Sequence, residues 1–186
     1  MEEKIEEVEK VPAEVAFTIP FAPVTAKRPR LGAGHARTPD DYRAYLKAVR
    51  AWLEDYLDKA EEKGDTNPLY ILTHLKYGAP IRVEEVKADK GKKPPLNPRF
   101  SGYYVHLTFV LRRPKTVKTA FPMAANSGDL DNFYKGAVDA IFGSVPFKSL
   151  GLDDRWIQGA SMVKRYMALG TDEKPRTEMT IKRLEV

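Results

Sequence analysis

The sequence predicts a single domain of about four β-strands and two main α-helices, preceded by an acidic tail. Three observations predict this. Segments in which apolar residues alternate with other residues, typical of half-buried strands, occur near both ends and in the middle of the chain. Two other segments carry apolar residues at spacings of three and four, as amphipathic helices do. The length of 186 residues suits one domain, and 42% hydrophobic residues can form a sizeable core.

Residues 1–14 differ in charge from the rest of the chain. They contain six Glu and two Lys, a net charge of −4, and Pro12 interrupts any helix that starts there. We therefore expect a flexible acidic tail in front of a domain formed by residues 15–186. That domain carries 29 basic and 20 acidic residues, a net charge of +9. Such an excess favours polyanions, including nucleic acids, as partners.

The amino-terminal half of the domain predicts a strand, a basic loop and a long helix. Residues 15–19 alternate in hydrophobicity and are followed by proline, which is typical of a strand. Residues 24–38 are basic and have no periodicity, which indicates a loop. Thr38 as the capping residue and Pro39 at the first helical position predict a helix that Gly64 ends.

Residues 65–100 have the least regular pattern. The segments LYILTHL (69–75) and RVEEV (82–86) could each form a strand. Residues 88–100 are rich in lysine and proline, which indicates a loop.

The carboxy-terminal half predicts a strand, a helix and two further strands. Residues 103–111 alternate in hydrophobicity and are rich in strand-forming residues. Residues 130–141 have apolar residues at helical spacing. Residues 162–167 and 177–184 predict the last two strands, joined by a turn around Gly170.

Composition and motifs exclude several kinds of chemistry. The absence of cysteine excludes disulfide bonds, thiol nucleophiles and thiolate metal sites. The three histidines, His35, His74 and His106, are too scattered to indicate a metal site. There is no phosphate-binding glycine motif and no apolar run long enough to cross a membrane. We expect a cytoplasmic protein that has no membrane partner.

Asp129 and Asp131 are the first candidates for catalysis. They stand just before a predicted helix and point to the same side if that segment is extended. Their repulsion would be offset by the helix N-terminus and by a divalent cation such as Mg²⁺. Lys135 and Asp139 follow Asp131 at spacings of four and eight, so they share its face of the helix. The alternative interpretation is a helix cap followed by a surface ion pair.

A second acidic pair, Asp153 and Asp154, forms a turn before a predicted strand. Acidic turns are common, and many are only solvated. If the strand lies beside the helix, a carboxylate at its start could converge with Asp129 and Asp131. Three carboxylates could then bind a metal ion.

These motifs resemble those of the RusA-type Holliday junction resolvases, also called crossover junction endodeoxyribonucleases. The string GDLDNFYKGAVDAI (128–141), then LDD (152–154) and a strand with Lys164, agree with that family in order and spacing. The first strand, basic loop and helix agree as well, so the resemblance covers most of residues 15–58 and 103–186. It implies an α+β fold in which a mixed sheet of about four strands packs against two main helices. Residues 59–102 would then be an insertion between the first helix and the second core strand.

The resemblance also implies an activity and a site. It implies a homodimeric enzyme that cuts four-way DNA junctions by paired nicks and uses Mg²⁺, with Mn²⁺ as an alternative. Resolvases of this type are often encoded by bacteria, phages or prophages. The implied catalytic residues are Asp129, Asp131, Asp154 and Lys135, of which the three aspartates bind metal, with Asp153 and Asp139 in supporting positions.

DNA binding is expected to depend on phosphate contacts made by basic loops. The candidates are Lys27, Arg28, Arg30, Arg112, Arg113, Lys115 and Lys118. The basic residues of the insertion, which would extend this surface or belong to a solvated loop, are Lys87, Lys90, Lys92, Lys93 and Arg99. Gly128 departs from the family, whose members often have a basic residue at this position. We expect Phe133 to pack in the core rather than to stack on a base.

Two other functions remain open from the sequence. The same carboxylates would serve a related metal-dependent nuclease that acts on flaps or replication forks. A non-catalytic DNA-binding protein, in which the acidic residues are structural caps, is the second alternative. Retention of all four catalytic candidates argues against the second, because a pure binder would gain from losing negative charge near phosphate.

Overall fold

The fold is taken from a computed structural model that describes residues 13–27, 30–32, 35–62, 67–79, 94–123 and 128–184. In chain order the elements are β1 (Glu14–Ile19), β2 (Arg30–Gly32), β3 (His35–Arg37), α1 (Asp40–Glu62), α2 (Pro68–Tyr77), β4 (Tyr103–Leu111), α3 (Leu130–Ile141), α4 (Val145–Ser149), β5 (Ile157–Tyr166) and β6 (Arg176–Arg183). A short 3₁₀ helix, Asp154–Trp156, leads into β5. The predicted α+β class, with a mixed four-stranded sheet and two main helices, is confirmed.

One mixed sheet contains four of the strands, in the order β1-β6-β4-β5. Strand β6 is antiparallel to both of its neighbours, whereas β4 and β5 are parallel. Parallel neighbours need a long crossover connection. In this chain that connection contains α3, α4 and the 3₁₀ helix, so both acidic pairs belong to a single crossover.

The core lies between the sheet and the helices. Alternate residues of β4 are fully buried, among them Val105 and Leu107, and they face the apolar stripe of α1 and the apolar face of α3. Phe133 of α3 is 6% exposed, and its ring centre lies 5.4 Å from that of Phe109. The expected core position of Phe133 is therefore confirmed. None of the helices in the described ranges is long and apolar enough to cross a membrane.

The segment 69–75, which the sequence presents as a possible strand, is helical instead. It lies in helix α2, which begins after Asn67 and ends at Gly78. The Asn67 side chain accepts a hydrogen bond from the Leu69 amide at 2.9 Å, and Pro68 occupies the first turn. These are strong helix-start signals, and a left-handed glycine is a common helix end. The short apolar run concealed them because it suits a buried helix as well as a strand.

Other boundaries differ less from the predictions. Helix α1 begins at Asp40, one residue later than predicted, and β5 begins at Ile157, five residues earlier. Within the predicted basic loop, β2 and β3 form a two-stranded antiparallel ribbon. The segment 82–86, the second possible strand of the insertion, lies outside the described residues.

The turn between β5 and β6 is held together by Glu173. Its carboxylate accepts two hydrogen bonds from the Arg165 guanidinium, at 2.7 and 3.0 Å, and one from the Ala168 amide at 2.6 Å. Arg176 forms a further ion pair at 2.9 Å. The Arg165 hydrogen bonds are the largest cause that lowers the pKa of Glu173 to about 2. Ionised Glu173 therefore stabilises the turn.

We expect Glu173→Gln to lower the free energy of unfolding by about 1 kcal/mol near neutral pH, because the network lies at the protein surface. The pKa of Glu173 is lower in the folded chain than its ordinary value of 4.5. The stabilisation is therefore present above that ordinary value and is lost as the pH falls towards 2. Urea unfolding of both proteins across this range should show the difference shrinking with acid. A difference that stays constant would contradict the role of the charge, and Asp172→Asn serves as a control in the same turn.

Candidate active site

Asp129 and Asp131 lie at the start of α3. Asp129 immediately precedes the helix with an extended backbone (φ −78°, ψ 142°), and Asp131 is in the first turn. Both residues are exposed, and the Asp129 side chain makes no capping hydrogen bond. The amino-terminal turn of a helix carries positive partial charge, which stabilises nearby carboxylates. The first acidic pair is therefore presented to solvent at the end of the helix that best tolerates it.

The peptide before Asp129 is fixed by a lysine from the sheet. Nζ of Lys164, on β5, donates to the carbonyl oxygen of Gly128 at 2.6 Å. Gly128 has a φ of +81°, which favours glycine, and a Cβ atom there would lie 2.9 Å from both the Phe133 ring and the Thr25 methyl group. Local packing therefore accounts for glycine where the resemblance would place a basic residue. The basic group found next to Asp129 is therefore the ammonium of Lys164, which binds the carbonyl oxygen of Gly128.

Lys135 and Asp139 follow on the same face of α3 as Asp131. The Lys135 ammonium lies 3.9 Å from Oδ2 of Asp139, as their spacing predicts. Asp139 also accepts a 2.7 Å hydrogen bond from the Tyr42 hydroxyl, and its backbone carbonyl accepts one from Arg50 at 2.9 Å. Burial, followed by the bond to Asp139, raises the pKa of Tyr42, so this hydroxyl stays protonated and donates. Asp139 thus links α3 to α1 and contacts Lys135.

Asp153 and Asp154 form the turn that enters β5. The Asp153 side chain accepts a hydrogen bond from the Arg155 amide at 3.0 Å, and this bond lowers the pKa of Asp153. The pKa of Asp154 shifts in the opposite direction. Partial loss of hydration raises the pKa of its carboxyl, and the contact with Asp153 and the charges of Asp153 and Asp139 raise it further.

A cavity of about 330 Å³ joins this turn to the last part of α3. Its charged lining residues are Arg50, Asp139, Lys148, Asp153 and Asp154. Midway along α3, burial raises the pKa of Tyr134, and the charge of Asp154 raises it further. The turn that carries Asp154 therefore faces α3, the helix whose start carries the first acidic pair.

The three predicted metal ligands lie in two places rather than in one group. Asp129 and Asp131 are at the start of α3, whereas Asp154 shares a cavity with Asp139 in the last turn. Within the described residues, no three His, Asp or Glu side chains stand close enough together to hold a metal ion. In chemical type the ligands fit a hard divalent cation, because all three are carboxylates on exposed residues. Their assembly around one ion stays a prediction.

The basic residues predicted to bind DNA have different surroundings. The Arg113 guanidinium donates to the backbone carbonyl oxygens of Thr119 and Met167 and lies 5.5 Å from the ring centre of Tyr166, so it links its loop to the end of β5. Lys27 forms an ion pair with Asp41 at the start of α1. The exposed candidates are Arg112, Lys115, Lys118 and Arg99. The residues or side chains outside the described part of the chain are Arg28, Arg30, Lys87, Lys90, Lys92 and Lys93.

Sequence reasoning missed one charged residue near the acidic turn, Lys76 of α2. Its side chain is 2% exposed, its ammonium donates to the carbonyl oxygen of Gly151, and its charge lowers the pKa of Asp153. The spacing could have indicated that Lys76 is buried, because Lys76 follows the buried Leu72 by four residues and so shares its face in a helix. That spacing places Leu72 and Lys76 on one face only in a helix, whereas the sequence presents residues 69–75 as a possible strand.

Comparison with known proteins identifies the family. Residues 20–182 match the family described as Endodeoxyribonuclease RusA, a region that includes both acidic pairs and most of the chain. A search of curated proteins finds no match. Members of the matched family are endonucleases that cut Holliday junctions. The chain therefore belongs to the RusA family of endodeoxyribonucleases, which act on branched DNA.

Proposed function

We propose that this chain is a Mg²⁺-dependent endonuclease that resolves four-way DNA junctions by paired nicks, acting as a homodimer. Family membership accounts for the nuclease activity and the branched substrate. The metal, the paired nicks and the dimer are the added proposal. The observation that carries it is the position of the Asp153–Asp154 turn, which faces α3 across a cavity.

Asp129, Asp131 and Asp154 would hold the metal ion. When bound, Mg²⁺ would lower the pKa of a water molecule and offset negative charge on the phosphate. Since no three carboxylates of the described residues stand together, the proposal requires the turn and the start of α3 to approach each other. The exposure of all three residues leaves them accessible to a hard cation.

Lys135 would stabilise the negative charge that gathers on the phosphate during cleavage. Its side chain is 67% exposed, and its contact with Asp139 is long, at 3.9 Å. This contact keeps the ammonium on the face that Asp131 shares, yet leaves it accessible to a phosphate oxygen. A cation fixed before the reaction stabilises a charged transition state without reorganisation.

Phosphate contacts and symmetry complete the proposal. The exposed Arg112, Lys115 and Lys118 belong to the segment between β4 and α3, which leads towards Asp129. Such contacts bind DNA without reading its sequence. A dimer with a two-fold axis would present one site to each of two opposed strands of a junction.

A panel of DNA substrates tests this function. We expect cleavage of an end-labelled four-way junction in preference to a flap, a fork and a linear duplex, with symmetrical nicks in opposed strands. A plasmid with an extruded cruciform should be linearised rather than singly nicked, because two sites act within one complex. A stronger activity on flaps or forks would show that these structures, rather than the four-way junction, are the preferred substrates. Equal cleavage of linear duplex, or unpaired nicks, would contradict the proposal.

A further inference from the structure

The buried ammonium of Lys76 contacts the segment that carries the second acidic pair. Burial of a charge is costly unless the group is hydrogen-bonded and paired. The ammonium donates to the carbonyl oxygen of Gly151 and lies 4.6 Å from the ring centre of Trp156. Gly151 precedes the Asp153–Asp154 turn and Trp156 follows it. One side chain therefore contacts the chain on both sides of the turn.

The neighbouring residue of α2 acts on the same segment. The Tyr77 hydroxyl donates to the carbonyl oxygen of Leu150 at 3.0 Å. Tyr77 and Lys76 thus bind two consecutive carbonyl groups, those of Leu150 and Gly151. Both bonds join α2 to the entry of the acidic turn.

The chain after α2 contacts the exit of the turn. The Asn97 amide donates to the carbonyl oxygen of Lys76 at 2.9 Å, which fixes residues 97–100 against the end of α2. The Phe100 ring centre lies 5.7 Å from that of Trp156. Trp156 therefore contacts both Phe100 and the Lys76 ammonium.

We propose that Lys76 and Tyr77 are positioning residues for Asp154. Lys76 contacts the chain on both sides of the acidic turn and Tyr77 contacts its entry, so helix α2 supports the second carboxylate pair. The proposal rests on the proposed function, because it concerns how Asp154 is presented to the metal ion. Groups that orient a metal ligand commonly change metal affinity or activity by about 10- to 100-fold when they are mutated.

Lys76→Met is the main test, because methionine keeps an unbranched chain and removes the ammonium. We expect the Mg²⁺ concentration for half-maximal junction cleavage to rise about 10-fold. Binding of Mn²⁺, followed by electron paramagnetic resonance without DNA, should weaken by a similar factor. Junction affinity in Ca²⁺ should stay within about twofold of the wild type, because Lys76 is too deeply buried to contact DNA. Thermal unfolding checks that the variant folds.

Tyr77→Phe provides a second test with a matched control. It removes the hydroxyl that binds Leu150, whereas Tyr103→Phe removes a buried hydroxyl that donates to Leu72 of the same helix at 2.8 Å. Each variant loses one hydrogen bond between a tyrosine hydroxyl and a backbone carbonyl, and each bond involves a residue of α2. Only the bond of Tyr77 lies at the acidic turn. We expect the Mg²⁺ requirement to rise in Tyr77→Phe and to stay at the wild-type value in Tyr103→Phe. If Lys76→Met does not fold, the comparison of Tyr77→Phe with Tyr103→Phe tests the inference on its own.

Two results would overturn the inference. One is an unchanged Mg²⁺ requirement and Mn²⁺ affinity in Lys76→Met and Tyr77→Phe, even if their unfolding temperature falls. The other is weaker junction binding in Ca²⁺ with an unchanged metal requirement, which would assign α2 to the DNA surface. Wild-type cleavage by Asp154→Asn would instead contradict the proposed function, so the two failures are distinguishable.

Discussion

Asp131→Asn is expected to reduce cleavage of a synthetic four-way junction in Mg²⁺ by about 10³-fold or more. Asparagine has nearly the same shape as aspartate but lacks the negative charge that attracts a divalent cation, so it is a much weaker ligand. Junction binding measured in Ca²⁺ or EDTA should be unchanged or stronger, because a negative charge near the phosphates is removed. End-labelled cleavage assays and gel-shift titrations measure the two quantities separately.

Asp58→Asn is the control for this prediction. Asp58 is an exposed acid on α1 and has no place in the proposed site, so the variant loses the same charge elsewhere. Its cleavage rate should equal that of the wild type. Normal cleavage by Asp131→Asn would defeat the metal assignment, whereas loss of junction binding would show that Asp131 acts through DNA affinity or folding.

Lys135→Met is expected to lower the maximal cleavage rate by about 10²- to 10³-fold. The variant loses the cation that offsets charge in the transition state and keeps the acidic ligands. The concentration of junction for half-maximal rate should change little, because the interaction strengthens only as the reaction proceeds. Lys135→Arg should retain part of the rate, since it keeps the charge with a different geometry.

Lys148→Met tests whether the effect is specific to Lys135. Lys148 is an exposed lysine that lines the cavity beside Asp153 and Asp154. Its loss should change the rate by less than about threefold, because it is not on the face of α3 that carries Asp131. Equal losses in both variants would indicate a general contribution of positive charge, and would contradict a special role for Lys135.

Most of the fold could be predicted because its main elements have long and consistent patterns. Apolar residues alternate along residues 103–111, with the period of two that is typical of a strand. In α1 they recur at spacings of three and four, as in a helix, so the period of each segment is unambiguous. Helix α2 is harder to predict because its short apolar run suits a strand as well as a buried helix, so its type depends on its caps, Asn67 and Gly78. Pairing of the strands, including the parallel pair β4 and β5, depends on contacts between distant parts of the chain and was not predicted from local patterns.

The residues of the candidate site were easier to predict than their arrangement. Asp129, Asp131 and Lys135 are close in sequence, so a helix start places them together. The position of Asp154 depends on how the crossover returns to β5, which no local pattern specifies. Arg113 shows a similar limit, because its hydrogen bond to the carbonyl oxygen of Met167, at the end of β5, depends on tertiary structure. Buried Lys76 could be recognised only once α2 was known to be a helix.

Metal-directed cleavage of the polypeptide tests most directly whether both acidic pairs hold the same ion. The protein would be loaded with Fe²⁺ in place of Mg²⁺ and treated with ascorbate and peroxide, so that radicals cut the backbone near the bound ion. We expect cuts near residues 129–131 and near residues 153–154, and the loss of both sets in Asp131→Asn. Cuts near residues 153–154 that persist in Asp131→Asn would show that the two pairs bind ions separately, and would contradict a single shared site.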